Sequence, residues 1–314
     1  MKNKSKKTKK PLILTIIGLF LILSGFMLYS PDIPQEILKG KYALAPSKFL
    51  KLDGMEVHYR VEGSGPALVL IHGTSSSLHT WDGWATALKD SFTIIRMDIP
   101  AFGLTGAHPE DKYSIEDYVS FIDRFSKALQ LDSFALAGNS LGGRIAWNYA
   151  LAHPKKVKKL ILLDSSGVPH ESAPSLIFKL ATNPVLKHII KYVTPRFLVK
   201  SSLEEVYFDD TKISEELIDR YHDIAKGAGT REAFIKEVNQ NTNADITSLD
   251  KITCPTLLLW GKHDIWIPVS DAQIFKEKIE HSQLIIYDNA GHIPMEEIPE
   301  ITALDARVFL SKGL

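Results

Sequence analysis

The 314-residue sequence predicts an α/β protein: a doubly wound, mostly parallel sheet with an inserted helical block and an N-terminal transmembrane helix. Three observations carry this prediction. From residue 48 onward, short apolar runs alternate with stretches of helical periodicity, the pattern of strands buried on both faces and joined by crossover helices. The alternation lapses over residues 168–248 and then resumes. Near the N-terminus lies one long apolar stretch without a charge.

That stretch comes first in chain order. Residues 1–10 hold six lysines and no acid, a basic tail. No charged residue falls between Pro11 and Pro31, and Leu12–Ser30 gives 19 almost wholly apolar residues. As a helix these would span ~28 Å, close to the ~30 Å hydrocarbon layer of a bilayer. Residues 11–30 are therefore expected to be a membrane anchor. With lysines on one flank and Asp32 on the other, the positive-inside rule puts the N-terminus in the cytoplasm and the folded body outside it. Secretion after cleavage of a leader is the alternative. A leader's apolar region is shorter, about 7–15 residues, and ends in small residues, whereas this one ends Phe26-Met27-Leu28-Tyr29-Ser30. Residues 31–47, with three prolines, read as a linker.

Strands are expected at Lys48–Leu52 and Met55–Val61, joined by the hairpin dipeptide Asp53-Gly54. Further strands are expected at Ala67–Ile71, Phe92–Met97, Ser133–Ala137 and Lys159–Leu163. Ile115, Tyr118, Val119, Ile122, Phe125 and Leu129 recur at helical spacing between the fourth and fifth. Residues 168–248 read as short amphipathic helices broken by Pro174, Pro184 and Pro195, a cap over the core formed by 48–167 and 249–314. Strand Thr256–Trp260, a helix near 270–280, strand Gln283–Tyr287 and a final helix near 295–311 complete the order. The body beyond the lysine tail carries 31 Lys+Arg against 37 Asp+Glu, a net of −6. A mildly acidic body argues against nucleic-acid binding. The single cysteine, Cys254, allows no intrachain disulfide and reads as a buried structural thiol.

The chemistry is concentrated at Gly138-Asn139-Ser140-Leu141-Gly142, a G-x-S-x-G pattern entered by a strand and left by a helix. That context supplies the tight, strained turn that exposes a serine hydroxyl and aims a helix N-terminus at it. Together with Leu70-Ile71-His72-Gly73, Met97-Asp98-Ile99-Pro100-Ala101-Phe102-Gly103, Leu259-Trp260-Gly261-Lys262-His263-Asp264 and Gly291-His292, it resembles the α/β-hydrolase superfamily from about residue 48 to the C-terminus. One departure is visible: Ala101 stands where the family often has the first glycine of Pro-Gly-x-Gly.

The resemblance implies Ser140 as nucleophile, His292 as base and Asp264 as the acid orienting it, in the order Ser, Asp, His. Asp164, at the end of the sixth strand, is the rival acid, since some relatives place it there. His72 is expected to brace its loop, Asn139 and Arg144 to pack or hydrogen-bond, and Trp81 and Trp84 to fill the core. Backbone N–H groups of Leu141 and Thr74 would form the oxyanion hole. The expected function is hydrolysis of carboxylic esters, with a small-molecule or lipid-like ester as partner, and no metal or cofactor. Two alternatives stay open: a carbon–carbon bond hydrolase of ring-cleavage products, and a ligand receptor on the same fold.

Overall fold

In a computed structural model, residues 29–169, 175–240 and 245–312 are described. The lysine tail, nearly all of the anchor stretch 11–30, and Pro174 lie outside these residues. Among the described residues no helix is long and apolar enough to cross a membrane.

Eight strands form one sheet: β1 (Lys48–Leu52), β2 (Met55–Glu62), β3 (Ala67–Ile71), β4 (Thr93–Met97), β5 (Phe134–Asn139), β6 (Val157–Leu163), β7 (Thr256–Gly261) and β8 (Ser282–Tyr287). Their order is β1-β2-β4-β3-β5-β6-β7-β8. β2 runs antiparallel to both neighbours, and every other pair is parallel. The β1–β2 hairpin turns at Asp53 and Gly54 with φ of 53° and 77°, the doubly left-handed geometry for which Asp-Gly is suited. β3, β5 and β7 read as nearly continuous apolar runs because helices cover both faces, with Arg96 interrupting β4 and Lys158 and Lys159 opening β6, and each face has its own buried apolar cluster.

The helices follow the expected positions with two differences. α1 (Gln35–Tyr42) stands in the stretch read as a linker. It buries Leu38, and Lys39 and Lys41 bond Glu56 and Asp223, each at 2.7 Å. Its pattern QEILKGKY offers little apolar periodicity, so tertiary contacts rather than propensity hold it. α2 (Asp82–Leu88), α3 (Ile115–Ala128) and α4 (Leu141–Ala152) follow. α3 opens with a capping box between Ser114 and Asp117. Trp81 and Trp84 are fully buried, with ring centroids 5.1 Å apart.

Between β6 and β7 the chain forms α5 (Leu176–Thr182), α6 (Lys187–Ile190), α7 (Arg196–Val206), α8 (Glu215–Ala225) and α9 (Thr230–Gln240). Pro184 and Pro195 fall at the breaks, as their missing N–H requires. α10 (Val269–Lys278) precedes β8. The final helix is two helices, α11 (Pro294–Glu297) and α12 (Pro299–Ser311). Ile298 precedes a proline, which pushes it out of helical backbone (φ −133°, ψ 56°). Cys254 is half-buried against the core rather than wholly buried, and burial pushes its thiol up to about 11.

Candidate active site

Ser140 stands at the turn from β5 into α4 with φ 54° and ψ −119°. A non-glycine residue rarely tolerates this conformation, so the surroundings must impose it. They do so by close backbone approach. A side chain on Gly138 would meet the Gly142 carbonyl at 2.1 Å, and one on Gly142 would meet that of Ile71 at 2.2 Å. The turn is thereby pressed between β3 and the first turn of α4.

His292 and Asp264 reach the same strand edge from the loops after β8 and β7. The imidazole Nδ1 donates to Asp264 Oδ2 at 2.7 Å, which leaves Nε2 as an acceptor on the far side of the ring. Asp264 is itself held: Oδ1 accepts from the N–H groups of Trp266 and Ile267 at 2.8 and 2.9 Å. Both side chains are buried. Ser140 and His292 line one cavity. Asn139 ties their loops together, its Nδ2 donating to the His292 carbonyl at 2.9 Å and to that of Leu163 at 3.2 Å. Among the described residues no hydrogen bond joins the Ser140 hydroxyl to the ring, a contact that often closes only when substrate arrives.

Asp164 is fully buried behind the acid. Its Oδ1 accepts from Gly261 N at 2.9 Å, and ligand atoms of Asp164, Asp264 and His292 lie within 4.8 Å of one another. Burial first, then the neighbouring Asp264 charge, hold the Asp164 carboxyl well above the usual range. Its Oδ2 has no hydrogen-bond partner among the described residues, and burial beside the Asp264 carboxylate favours the neutral form. Such a group supports the acid without competing for the imidazole. The same three residues could form a metal cluster only by giving up the bond that orients the imidazole, since Asp264 Oδ2 is taken by Nδ1–H.

Two further residues were not apparent in the sequence. Glu297 is buried, and its carboxylate accepts from Gly291 N (2.8 Å), Phe208 N (3.0 Å) and Asp209 N (2.8 Å). It joins the His292 loop to the end of α7, where His292 N also donates to Val206 O at 2.8 Å. Trp266 packs its ring 5.2 Å from that of His292 and donates Nε1–H to Glu205 at 2.9 Å. A tryptophan two residues beyond a loop aspartate was the available sign; Glu297 left none, because a glutamate in a short terminal helix looks solvated.

The remaining expected residues fall as follows. Thr74 lines the cavity beside Ser140, and a side chain on Gly73 would sit 3.0 Å from Ser140 Cβ. Leu141 is the first residue of α4, so its N–H has no carbonyl to bond within the helix. His72 accepts from Ile99 N at 3.1 Å through Nε2 and donates from Nδ1 to Gly73 O at 2.7 Å, bracing the Thr74 loop. Ala101 is buried with φ 82°, the left-handed backbone that a glycine would accept without strain.

The cavity occupies about 1250 Å³ including its opening to solvent. Its floor is the Ser140 turn and the Gly73–Ser76 loop, and Ile177, Phe178, Ile190, Val193, Leu198 and Val199 from α5–α7 and their connections form an apolar roof.

Fold and site together define a class, and comparison with known proteins agrees. The family described as alpha/beta hydrolase fold matches residues 66–218. An uncharacterized hydrolase, YugF, of Bacillus subtilis is 28% identical over 82% of this chain and 96% of its own. The 2-hydroxy-6-oxo-6-(2'-aminophenyl)hexa-2,4-dienoic acid hydrolase of Metapseudomonas resinovorans is 27% identical over 88% of this chain and 95% of its own. The crystal structure of a membrane phospholipase A, described as a bacterial virulence factor, superposes with a TM-score of 0.73 at 27% identity, covering 96% of this chain and 98% of that one. The chain has the α/β-hydrolase fold and is a hydrolase.

Proposed function

We propose that this hydrolase cleaves carboxylic esters with a lipid-like acyl part, using Ser140 as nucleophile, and that residues 11–30 anchor it in a membrane. The observation carrying the reading is the Asp264–His292 bond of 2.7 Å on the cavity that Ser140 lines. With Nδ1–H fixed by the carboxylate, Nε2 takes the Ser140 proton as Oγ attacks the ester carbonyl. The developing oxyanion is received by the N–H groups of Leu141 and Thr74. His292 then protonates the departing alcohol. Water, deprotonated by the same ring, hydrolyses the acyl-enzyme and returns Ser140.

An ester is favoured over a ring-cleavage dienoate by the lining. A dienoate carries a carboxylate, which a cation binds more strongly than neutral donors do. Among the described residues one guanidinium or ammonium lines the cavity, that of Arg231, and it is already bonded to Asp32 at 2.5 Å. The apolar roof suits an acyl chain.

The test is turnover of p-nitrophenyl esters of increasing chain length, with fluorophosphonate labelling of Ser140. Multiple turnovers are expected, and Ser140→Ala is expected to reduce the rate by roughly 10⁶-fold. Release of a single equivalent would indicate a receptor, and faster cleavage of a 2-hydroxy-6-oxodienoate than of any ester would favour carbon–carbon hydrolysis.

A further inference from the structure

The helices that roof the cavity are apolar on both sides. Their inward residues line the cavity, while Leu176, Val185, Leu186, Ile189, Tyr192 and Phe197 point outward and are 38–67% exposed. Exposed apolar side chains gathered in a patch of this kind mark a contact surface.

Two independent features say what covers it. The first is charge. Residues 175–206, spanning α5–α7, hold Lys179, Lys187, Lys191, Arg196 and Lys200 against Glu204 and Glu205, whereas the body as a whole is net negative. Lys191, Arg196 and Lys200 pair with acids, and Lys179 and Lys187 make no ion pair among the described residues. Basic residues beside exposed apolar ones are the signature of a surface lying in an anionic headgroup layer. The second is where the chain enters. Ser30, the last residue of the apolar N-terminal stretch, donates its N–H to Tyr192 O at 2.8 Å. Asp32 then bonds Arg231, and Ile33 N donates to Lys226 O at 2.8 Å. The stretch read as an anchor therefore ends against the cap itself, with no slack between them.

We propose that the outer face of α5–α7 lies in the headgroup–acyl boundary of the membrane that holds residues 11–30, so that an acyl chain passes from the leaflet into the cavity without crossing water. This rests on the anchored ester-hydrolase reading, and extends it by placing the entrance at the bilayer.

The test uses the full-length chain in phosphatidylcholine vesicles containing phosphatidylglycerol. In a Cys254→Ser background, Phe197→Cys or Val185→Cys is labelled with an environment-sensitive fluorophore. Lys155→Cys, exposed before β6 at the opposite edge of the sheet, is the control. Spin-labelled lipid should quench the probe at 197 and 185 and spare that at 155. A second arm compares Val185→Ser/Ile189→Ser/Phe197→Ser with the parent enzyme. Cleavage of a monoacylglycerol within the vesicle should fall ~10-fold, and that of soluble p-nitrophenyl butyrate should change less than about twofold. Probes that iodide reaches equally at all three sites would overturn the proposal. So would probes shielded from iodide but unquenched by lipid, which would mean that a second copy or the N-terminal stretch covers the face. Quenching reads docking without catalysis, so an enzyme inactive on every ester would refute the ester reading while leaving this one to stand or fall on its own signal.

Discussion

The rim of the sheet and the cap above it are built in opposite ways. At the rim, Asp264, His292 and Asn139 are buried and each makes two or more hydrogen bonds. In α5–α7, Ala181, Leu203 and Val206 are the buried residues, and large apolar side chains face outward. The contrast separates two tasks. On the proposed mechanism the reacting groups must be held to within a fraction of an ångström by their surroundings, which fits their place on strand-end turns and loops and the strain at Ser140. A surface that receives a flexible chain needs area and apolarity more than exact placement.

Breaking the rim at its centre should have the largest effect. Asp264→Asn keeps the shape but no longer fixes the imidazole tautomer, and is expected to lower kcat by about 10⁴-fold with KM little changed. Steady-state kinetics on a soluble ester checks this; a loss below tenfold would reassign the acid to Asp164. At the seam between the two regions, Glu297→Ala leaves three backbone N–H groups without their acceptor. A loss of about 2–4 kcal/mol in urea unfolding is expected, and a stability equal to the parent's would show that the seam is not held by this carboxylate.

Asp164→Asn sharpens the rim's own electrostatics. The neutral acid retains a proton that the unfolded chain releases above the ordinary carboxylate range. Stability of the parent should therefore decline as pH rises from that range toward the raised folded value. The amide copies the protonated acid, accepting from Gly261 N, and has no proton to lose. Its advantage should grow with pH, by at most about 1.4 kcal/mol per unit. Asp264, His292, Glu297 and Tyr287 surround the site and are common to both proteins. Parallel stability–pH curves would mean that Asp164 is ionised in the folded state. The smallest effect belongs to Ala101→Gly. Relief of a left-handed alanine outweighs the added chain entropy of glycine, giving a gain of a few tenths to about 1 kcal/mol in the same unfolding assay.

The contrast also explains how far each region was legible. The central strands stood out because a strand covered on both faces is written as a mostly apolar run, and β1 and β2 because Asp53-Gly54 joins two strand-like runs. Ser140, Asp264 and His292 stood out because their chain order and turn chemistry are local properties. Residues whose role depends on which strands or loops become neighbours did not. Asp164 supports Asp264 only because β6 pairs with β7, and Glu297 matters only because the end of α7 arrives beside the His292 loop. α1 stayed hidden because the contacts that form it lie on β2 and α8. Ile298-Pro299 marks the break between α11 and α12, although the terminal apolar periodicity runs across it.

The seam has one more consequence. Since the N–H of the imidazole-bearing residue is fastened to Val206, and Glu297 clasps the next turn of chain, lifting the roof away would pull the proton acceptor out of line. On the proposed mechanism, an opened roof would therefore leave Ser140 without its base.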